Sequence, residues 1–353
     1  MRSEDLNFPT STIPLQTFKE SYSHLDEAAF AKKLSQALQA GPVMFFRSFV
    51  NAYYGDITTQ LESKDLTLCF GDPHPENFGF LEFPSGPRFV FNDLDDSGYC
   101  PLRADVLRYF VAVALTYDDS DLLEDLVSEY IQVLNDQKKA ASLDKNLFPN
   151  LEKKRNKLLK KLTQGNEFLE SQELLKIPAS LKRKMLSDFK SEPVFSGVSF
   201  LDVAEVIHSG GGSGGLKRYL VLIENLHGKE LIELKELTEP GTHFGLWSHP
   251  KWSYADRIAE LKEEFWHESP QFYAYTFYQN HFLIRSRTRD SVALEKLSSG
   301  ELKDYLRVQV GILATHHKIY KKWNIPGLEK WLQKNIPILQ TRYLETYRNL
   351  KRP

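Results

Sequence analysis

Three polar side chains, Asp72, His74 and Asn77, stand within one short break, "CFGDPHPENFGF" (residues 69–80), between apolar runs. Gly, Pro, Asn and Asp suit a tight turn for backbone reasons alone, so a plain surface turn is one reading. The flanking residues support another. Runs 78–83 and 88–92 read as the arms of an antiparallel hairpin closed by "PSGP" (84–87). With the turn centred between Ser85 and Gly86, Asn77 falls opposite Leu94, beside Asp93. A carboxamide and a carboxylate then meet at the open end of the hairpin, with Asp72 a few residues away. Such oxygen donors suit Mg²⁺, which takes one or two carboxylates and completes its shell with water and substrate phosphates. The alternative is that Asp93, Asp95 and Asp96 merely end a strand and cap the following helix.

A second group lies far along the chain. "SGGGSGG" (209–215), containing Gly210, Gly211, Gly212, Ser213, Gly214 and Gly215, joins two strand-like runs. Dinucleotide-binding and Walker-type loops need a helix after the glycines, so they do not fit. A glycine loop between antiparallel strands can fold over phosphates, or it can be a flexible hairpin tip. Lys235 in "IELKEL" lies on the strand after this hairpin and can reach α- and β-phosphates. Otherwise it is an edge-strand lysine that discourages aggregation. An acid on the helix expected at 253–265 should orient it: Glu260, with Glu263 and Glu264 as alternatives.

These residues need a scaffold. Helical patterning covers 26–61, three short strands follow ("LTLCF", "FGFLEF", "RFVFNDL"), and helical patterning resumes from about 101 to about 190. Its Lys-rich stretch "LEKKRNKLLKKL" reads as a solvated face, or as a surface for an acidic partner or lipid. From 193 the chain turns β-rich, with strands in "FLDVAEVIH", "LKRYLVLIE", "ELIELKEL", "FYAYTFYQ" and "HFLIRSRT" around the 253–265 helix; it is helical again from about 299. The expected fold class is α+β with two lobes and a cleft. Residues 1–192 form a helical lobe carrying the catalytic and metal loops, 193–292 a β-rich lobe, and 293–353 helices returning to the first lobe.

Composition narrows the classes. The chain has 353 residues, 41% hydrophobic, 12% aromatic and 26% charged, as an ordinary globular protein does. A net charge of −2 gives no global basic field for nucleic acid or an anionic membrane. "YFVAVALTY" (109–117) is too short to span a bilayer, and "MRSEDLNFPT" lacks the apolar stretch of a signal peptide. With two cysteines, Cys69 and Cys100, a disulfide framework is not expected, and a cytoplasmic setting is the default.

Three smaller signals remain. Asp105 and Arg108 are one helical turn apart and read as a structural pair, with substrate contact the minor alternative. Arg285, Arg287 and Arg289 alternate on one strand face, either solvated or binding an anion at the cleft. His316 and His317, near a helix end, read as core or helix-end residues and not as ligands.

Taken together, these residues resemble the protein-kinase-like superfamily. "GDPHPEN" is similar to the kinase catalytic loop, and more so to the aminoglycoside-phosphotransferase form. The resemblance makes Asp72 the catalytic Asp, Asn77 a metal-binding Asn and His74 the basic residue near the γ-phosphate. "FNDLDD" resembles the second metal motif, with Asp93 leading and Asp95 as auxiliary ligand. In ordinary kinases the glycine loop and lysine precede the catalytic loop; here they follow it by more than a hundred residues. That order resembles a bacterial family catalogued as domain of unknown function 2252, which reads as a circularly permuted kinase-like protein. "PVMFFRSF", "GDPHPENFG", "FNDLDD", "PLRADVLRY", "GGGSGGLKRYLVL", "LKE" and "FLIRSRTRD" resemble its blocks in its order. Phe70 departs from the pattern, since many kinases and phosphotransferases carry His two residues before the catalytic Asp. Permutation is physically tolerable where termini lie close together.

The resemblance implies an ATP- and Mg²⁺-dependent phosphotransferase, with Mn²⁺ as a substitute metal, acting on a hydroxyl of a small molecule or protein. No nucleic acid partner and no membrane span are expected. A non-catalytic nucleotide-binding scaffold and a nucleotidyl (AMP) transferase use the same parts and stay open. A metallophosphoesterase explains "DPH" but neither the glycine loop nor Lys235. The acceptor and the oligomeric state are not legible in the sequence.

Overall fold

The computed structural model describes residues 6–61, 66–190, 192–207, 216–287, 292–319 and 327–352. The glycine loop, residues 210–215, and Arg289 lie outside the described residues. The fold mixes helices and strands, as the α+β expectation has it.

Four helices open the chain: α1 (Leu15–Ser21), α2 (Glu27–Ala40), α3 (Pro42–Ser48) and α4 (Val50–Ile57). The Asp26 side chain accepts the Ala29 amide hydrogen at the start of α2, while Pro42 opens α3. Then come β1 (Leu66–Cys69), the hairpin β2 (Phe78–Phe83) and β3 (Gly86–Phe91), β4 (Gly98–Pro101), and the helices α5 (Leu102–Tyr117) and α6 (Ser120–Leu134). Most of α5 is buried on every side, which its run of Val, Ala, Leu and Phe permits.

The hairpin turns one position earlier than the sequence suggests, which shifts the cross-strand pairing by two residues. Phe83 pairs with Gly86 and Phe78 with Phe91, so Pro84 and Ser85 form the turn. Gly86, at φ +110°, supplies the left-handed backbone that closes a two-residue turn. Asn77 therefore meets Asn92 and not Leu94, and its carbonyl accepts the Asn92 amide at 3.0 Å. A shift of two residues leaves every side chain on its original face. Asp93 stays at the open end.

β1 and β4 pair antiparallel, and a disulfide (Sγ–Sγ 2.08 Å) joins Cys69 to Cys100. This corrects the expectation that two cysteines would form no disulfide framework. The register places Cys69 opposite Gly98 and Cys100 opposite Thr67, diagonal neighbours with a Cα–Cα distance of 5.8 Å, within disulfide reach.

Beyond α6 the chain is less helical than its Lys- and Leu-rich composition implies. After α7 (Leu151–Leu162) come β5 (Thr163–Gln164), β6 (Glu167–Phe168) and β7 (Leu174–Lys176), then α8 (Ala179–Phe189). β7 is the edge of a six-stranded antiparallel sheet completed by β8 (Ser199–Val206), β9 (Arg218–Asn225), β10 (Gly228–Glu236), β11 (Ala274–Tyr278) and β12 (Asn280–Ser286). Its order is β11-β12-β10-β9-β8-β7, so the sheet begins before residue 193. The helix α9 (Tyr254–Trp266) lies between β10 and β11 in sequence. The closing helices α10 (Ser299–Ile319) and α11 (Leu328–Lys351) pack on α5 and α6. One large core joins α1–α6, the first strands, α10 and α11; two smaller cores lie against the six-stranded sheet. Among the described residues no helix is long and apolar enough to cross a membrane.

Candidate active site

The break after β1 is held from several directions. Asp105, on α5, accepts the amide hydrogens of Phe70 (2.8 Å) and Gly71 (3.0 Å). The Tyr54 hydroxyl donates to the Gly71 carbonyl (2.7 Å), and Ser97 Oγ donates to the Phe70 carbonyl (2.7 Å). Gly71 has φ +81°, and a Cβ there would stand 1.9 Å from the Asp96 carbonyl oxygen, so only glycine fits. Phe70 is buried among Phe78, Phe91, Phe265 and the rings of His316 and His317.

Asp72 follows, its side chain fixed from below. Arg108, one turn after Asp105 on α5, places Nε at 2.8 Å and Nη2 at 2.6 Å from the same oxygen, Oδ1. Asp105 and Arg108, expected to pair with each other, hold the loop backbone and the loop carboxylate respectively. Oδ2 of Asp72 lies 3.6 Å from His74 Nε2. His74 Nδ1 accepts the Glu76 amide (3.2 Å), and Arg47 Nε sits 3.2 Å from Nε2. Burial, then Arg47 and Arg108, push the His74 pKa well below its usual value, so the ring is neutral. Asn77 Nδ2 donates to the Asp72 carbonyl (3.0 Å), which commits its amide nitrogen and leaves its side-chain oxygen available.

The six-stranded sheet brings the second group to this loop. Lys235 Nζ lies 3.3 Å from both carboxylate oxygens of Asp93, 142 positions away, and is ion-paired with Asp95. Cross-strand register puts Arg218 directly opposite Lys235, and Arg285 directly opposite Glu233. Glu233 binds Arg285 (Nε to Oε2 2.6 Å) and approaches Arg218 (3.4 Å), while Arg285 Nη1 reaches Asp93 Oδ1 at 3.0 Å. One sheet face thus aims Lys235 and Arg285 at Asp93. Of the three arginines expected on one face, Arg285 is buried in this network and Arg287 is partly exposed, 3.9 Å from Glu233.

Glu260 takes a different partner from the one expected. Its carboxylate accepts a hydrogen bond from the Tyr99 phenol (3.2 Å), and it does not line the cavity around Lys235. Also on α9, Arg257 Nη1 donates to the carbonyls of Asp95 (2.8 Å) and Ser97 (3.1 Å), in the stretch after Asp93.

Asp72, His74, Asn77, Asp93, Asp95 and Lys235 line a single cavity of about 200 Å³ together with residues of α2–α4. Lys33, Arg47, Arg218 and Asp96 also line this cavity, and Glu233 lies beside it on Arg285; of these only Asp96 figures in the sequence reading, as a strand-end or helix-capping residue. Asp96 Oδ1 accepts the Gly241 amide (2.9 Å), and burial, followed by Asp72, raises its pKa to about 6. Its one sequence signal is its place in "FNDLDD". The donor set at the loop suits a hard cation: two carboxylates and a carboxamide oxygen. Two observations fit such an ion: a cationic ammonium already bridges Asp93 and Asp95, and Asp95 Oδ1 is buried with no hydrogen-bond partner among the described residues.

The chain belongs to the family described as "Uncharacterized protein conserved in bacteria (DUF2252)", whose pattern matches residues 26–156 and 170–324. No match is found among curated proteins or solved structures.

Proposed function

We propose that this member of the family is an ATP- and Mg²⁺-dependent phosphotransferase with a circularly permuted kinase-like architecture. In this reading the strands of 193–292 form the nucleotide lobe, and the helices before and after them form the other. The observation that carries the reading is the meeting of Lys235 with Asp93 in the same cavity that holds Asp72 and Asn77. A mere turn at 72–77 and a mere edge-strand lysine give no reason for that convergence.

Bound Mg²⁺ would neutralise charge on the phosphates, and Asn77, Asp93 and Asp95 are the residues that would hold it. Lys235 and Arg218, adjacent on the sheet, supply cations for the triphosphate, with the 210–215 loop as its proposed cover. Asp72 orients the acceptor hydroxyl and takes its proton. Arg108 occupies Oδ1, which leaves Oδ2 for that task. His74, neutral, lines the wall beside it. Asp105, Ser97 and Tyr54 replace the missing histidine of ordinary kinase loops by gripping the backbone directly.

The test is a thermal-shift panel of nucleotides with Mg²⁺ and Mn²⁺, followed by product analysis. ATP with metal should stabilise the protein beyond either alone, since a ligand that binds the native state raises its stability. ADP formation then supports phosphoryl transfer, AMP attached to protein supports nucleotidyl transfer, and binding without turnover supports a scaffold. Absence of stabilisation by every nucleotide overturns the proposal.

A further inference from the structure

The segment that carries Asp93 and Asp95, from the end of β3 to the start of β4, is held along its length by one helix. On α9, Trp266 Nε1 donates to the Phe91 carbonyl at 3.1 Å, and the Glu260 carboxylate accepts from the Tyr99 phenol at 3.2 Å. Between these ends Arg257 Nη1 donates to the carbonyls of Leu94 (3.4 Å), Asp95 (2.8 Å) and Ser97 (3.1 Å). The Leu94 carbonyl also accepts the Ser97 amide at 3.2 Å, which closes the turn. Carbonyls in such a turn have no strand ladder to join, so the donor that reaches them sets the path of the chain. Arg257 is 2% exposed, its guanidinium 5.7 Å from the Tyr254 ring. An apolar side chain of like size would fill that space without the cost of burying a charge. Here three carbonyl dipoles and the nearby Asp96 offset that cost. The carboxylates of Asp93 and Asp95, by contrast, meet Lys235.

We infer that Arg257 is a positioning residue for the divalent cation: from α9 it fixes the backbone of 94–97 so that Asp93 and Asp95 offer their oxygens to one ion in a single arrangement. The inference rests on the proposed reading of Asp93 and Asp95 as metal ligands. Two effects of this side chain on cation affinity oppose each other. Its positive charge repels a cation, while its hydrogen bonds set the geometry of the ligands. Its three bonds run to the backbone and not to the carboxylates, so the charge acts through a screened field and the geometric effect is the larger. Lys235, which contacts the carboxylates themselves, is the opposite case. The sign of the change on substitution therefore separates positioning from charge.

Electron paramagnetic resonance titration of Mn²⁺ into the full chain, without nucleotide, compares the parent with Arg257→Met and Arg257→Lys. Arg257→Met should weaken Mn²⁺ binding by on the order of 10–100-fold, the usual effect of removing a group that orients metal ligands. Arg257→Lys keeps the charge and reaches only part of the carbonyl set, so its affinity should fall between the two. A response to charge alone would instead leave Arg257→Lys like the parent and make Arg257→Met bind more tightly. Denaturant unfolding of each variant reports folding; if Arg257→Met does not unfold cooperatively, Arg257→Lys decides, and unchanged Mn²⁺ affinity there overturns the inference. Calorimetry of ATP without metal should give the same affinity in Arg257→Met as in the parent, and it tests the nucleotide reading on its own. The inference is overturned, with that reading intact, if a folded Arg257→Met binds Mn²⁺ as tightly as the parent or more tightly. If the parent binds no Mn²⁺, the metal reading falls and the inference falls with it.

Discussion

Arg108 contacts one oxygen of Asp72 twice, through Nε at 2.8 Å and Nη2 at 2.6 Å, and leaves the other oxygen to the cavity. A guanidinium committed to Oδ1 fixes the rotamer of the carboxylate and with it the direction of Oδ2. Asp72→Asn should keep nucleotide affinity and lose on the order of 10²–10⁴ in turnover. Arg108→Met should lose on the order of 10² in kcat through misplacement of Asp72, with KM for ATP little changed. Steady-state kinetics on both variants decide the matter. Turnover within a few-fold of the parent for Asp72→Asn would leave Asp72 a turn residue only.

His316 is buried between Phe265 and Phe70, with Nε2 2.7 Å from the Leu68 carbonyl. Burial, then His317, pushes its pKa down to about 3. The unfolded chain takes up this proton near pH 6.5 and the folded one does not, so its contribution to stability falls as pH drops below 6.5. Between pH 7 and 5 that loss is about 2 kcal/mol. His74 acts in the same direction. Asp96, its pKa raised to about 6, acts in the opposite one, since its protonated form is favoured by folding. The readout is therefore the difference between the parent and His316→Gln in denaturant unfolding at the two pH values. The stability advantage of the parent should shrink by about 2 kcal/mol on going to pH 5; a constant difference would show that His316 does not titrate as described.

Much of this arrangement is legible in the sequence where a local signal exists. The three strands around the 69–94 stretch announce themselves by Phe, Val and Leu divided by turn residues, and β8 to β12 do so likewise. The observed hairpin register differs by two residues from the expected one because "PSGP" allows two turn placements, and Gly86 at φ +110° selects between them. β5 to β7 are not legible in the sequence, because Lys- and Leu-rich neighbours carry helical periodicity across them. Asp105 and Arg108 show the limit of spacing arguments: one turn apart, they look like a pair, yet the loop packed above them draws each to a different group. Nothing local marks Glu233 beside Lys235, because its partner Arg285 is 52 positions away and only the β10–β12 register brings them opposite. Lys33 and Arg47 sit on α2 and α3, and no local pattern in the sequence marks the cavity they line.

The Cys69–Cys100 disulfide clips β1 to β4 directly before the loop that carries Asp72. It closes a loop of 31 positions, for which chain-entropy arguments give a stabilisation of about 3–4 kcal/mol. Because both cysteines are fully buried, a double Cys69→Ala, Cys100→Ala variant tests this better than added reductant. Denaturant unfolding under oxidising conditions should show the variant less stable by that amount. Once the parent is unfolded, reduced and refolded in reductant, the gap should nearly close. A variant as stable as the oxidised parent would mean the bond does not form in solution.

Lys235 places its ammonium between Asp93 and Asp95, where a metal would find its two carboxylates. Arg285 adds a second positive charge on Asp93 at 3.0 Å. On the proposed function, a divalent cation at this site would compete with Lys235, and bound nucleotide phosphates would draw the ammonium toward themselves. Lys235→Met keeps the stem that packs in the sheet and removes the charge, which should tighten Mn²⁺ binding to the free protein by roughly tenfold, a gain of about 1.4 kcal/mol. The same substitution should weaken ATP binding, because the triphosphate loses its principal cation. Asp93→Ala should abolish both Mn²⁺ binding and the metal-dependent part of ATP stabilisation while the protein stays folded. Electron paramagnetic resonance titration of Mn²⁺, without nucleotide, reads the first effect independently of any activity. If Lys235→Met binds Mn²⁺ no better than the parent, Asp93 and Asp95 are not a metal site held in check by this lysine, and the division of labour proposed between the two halves of the cavity fails with it.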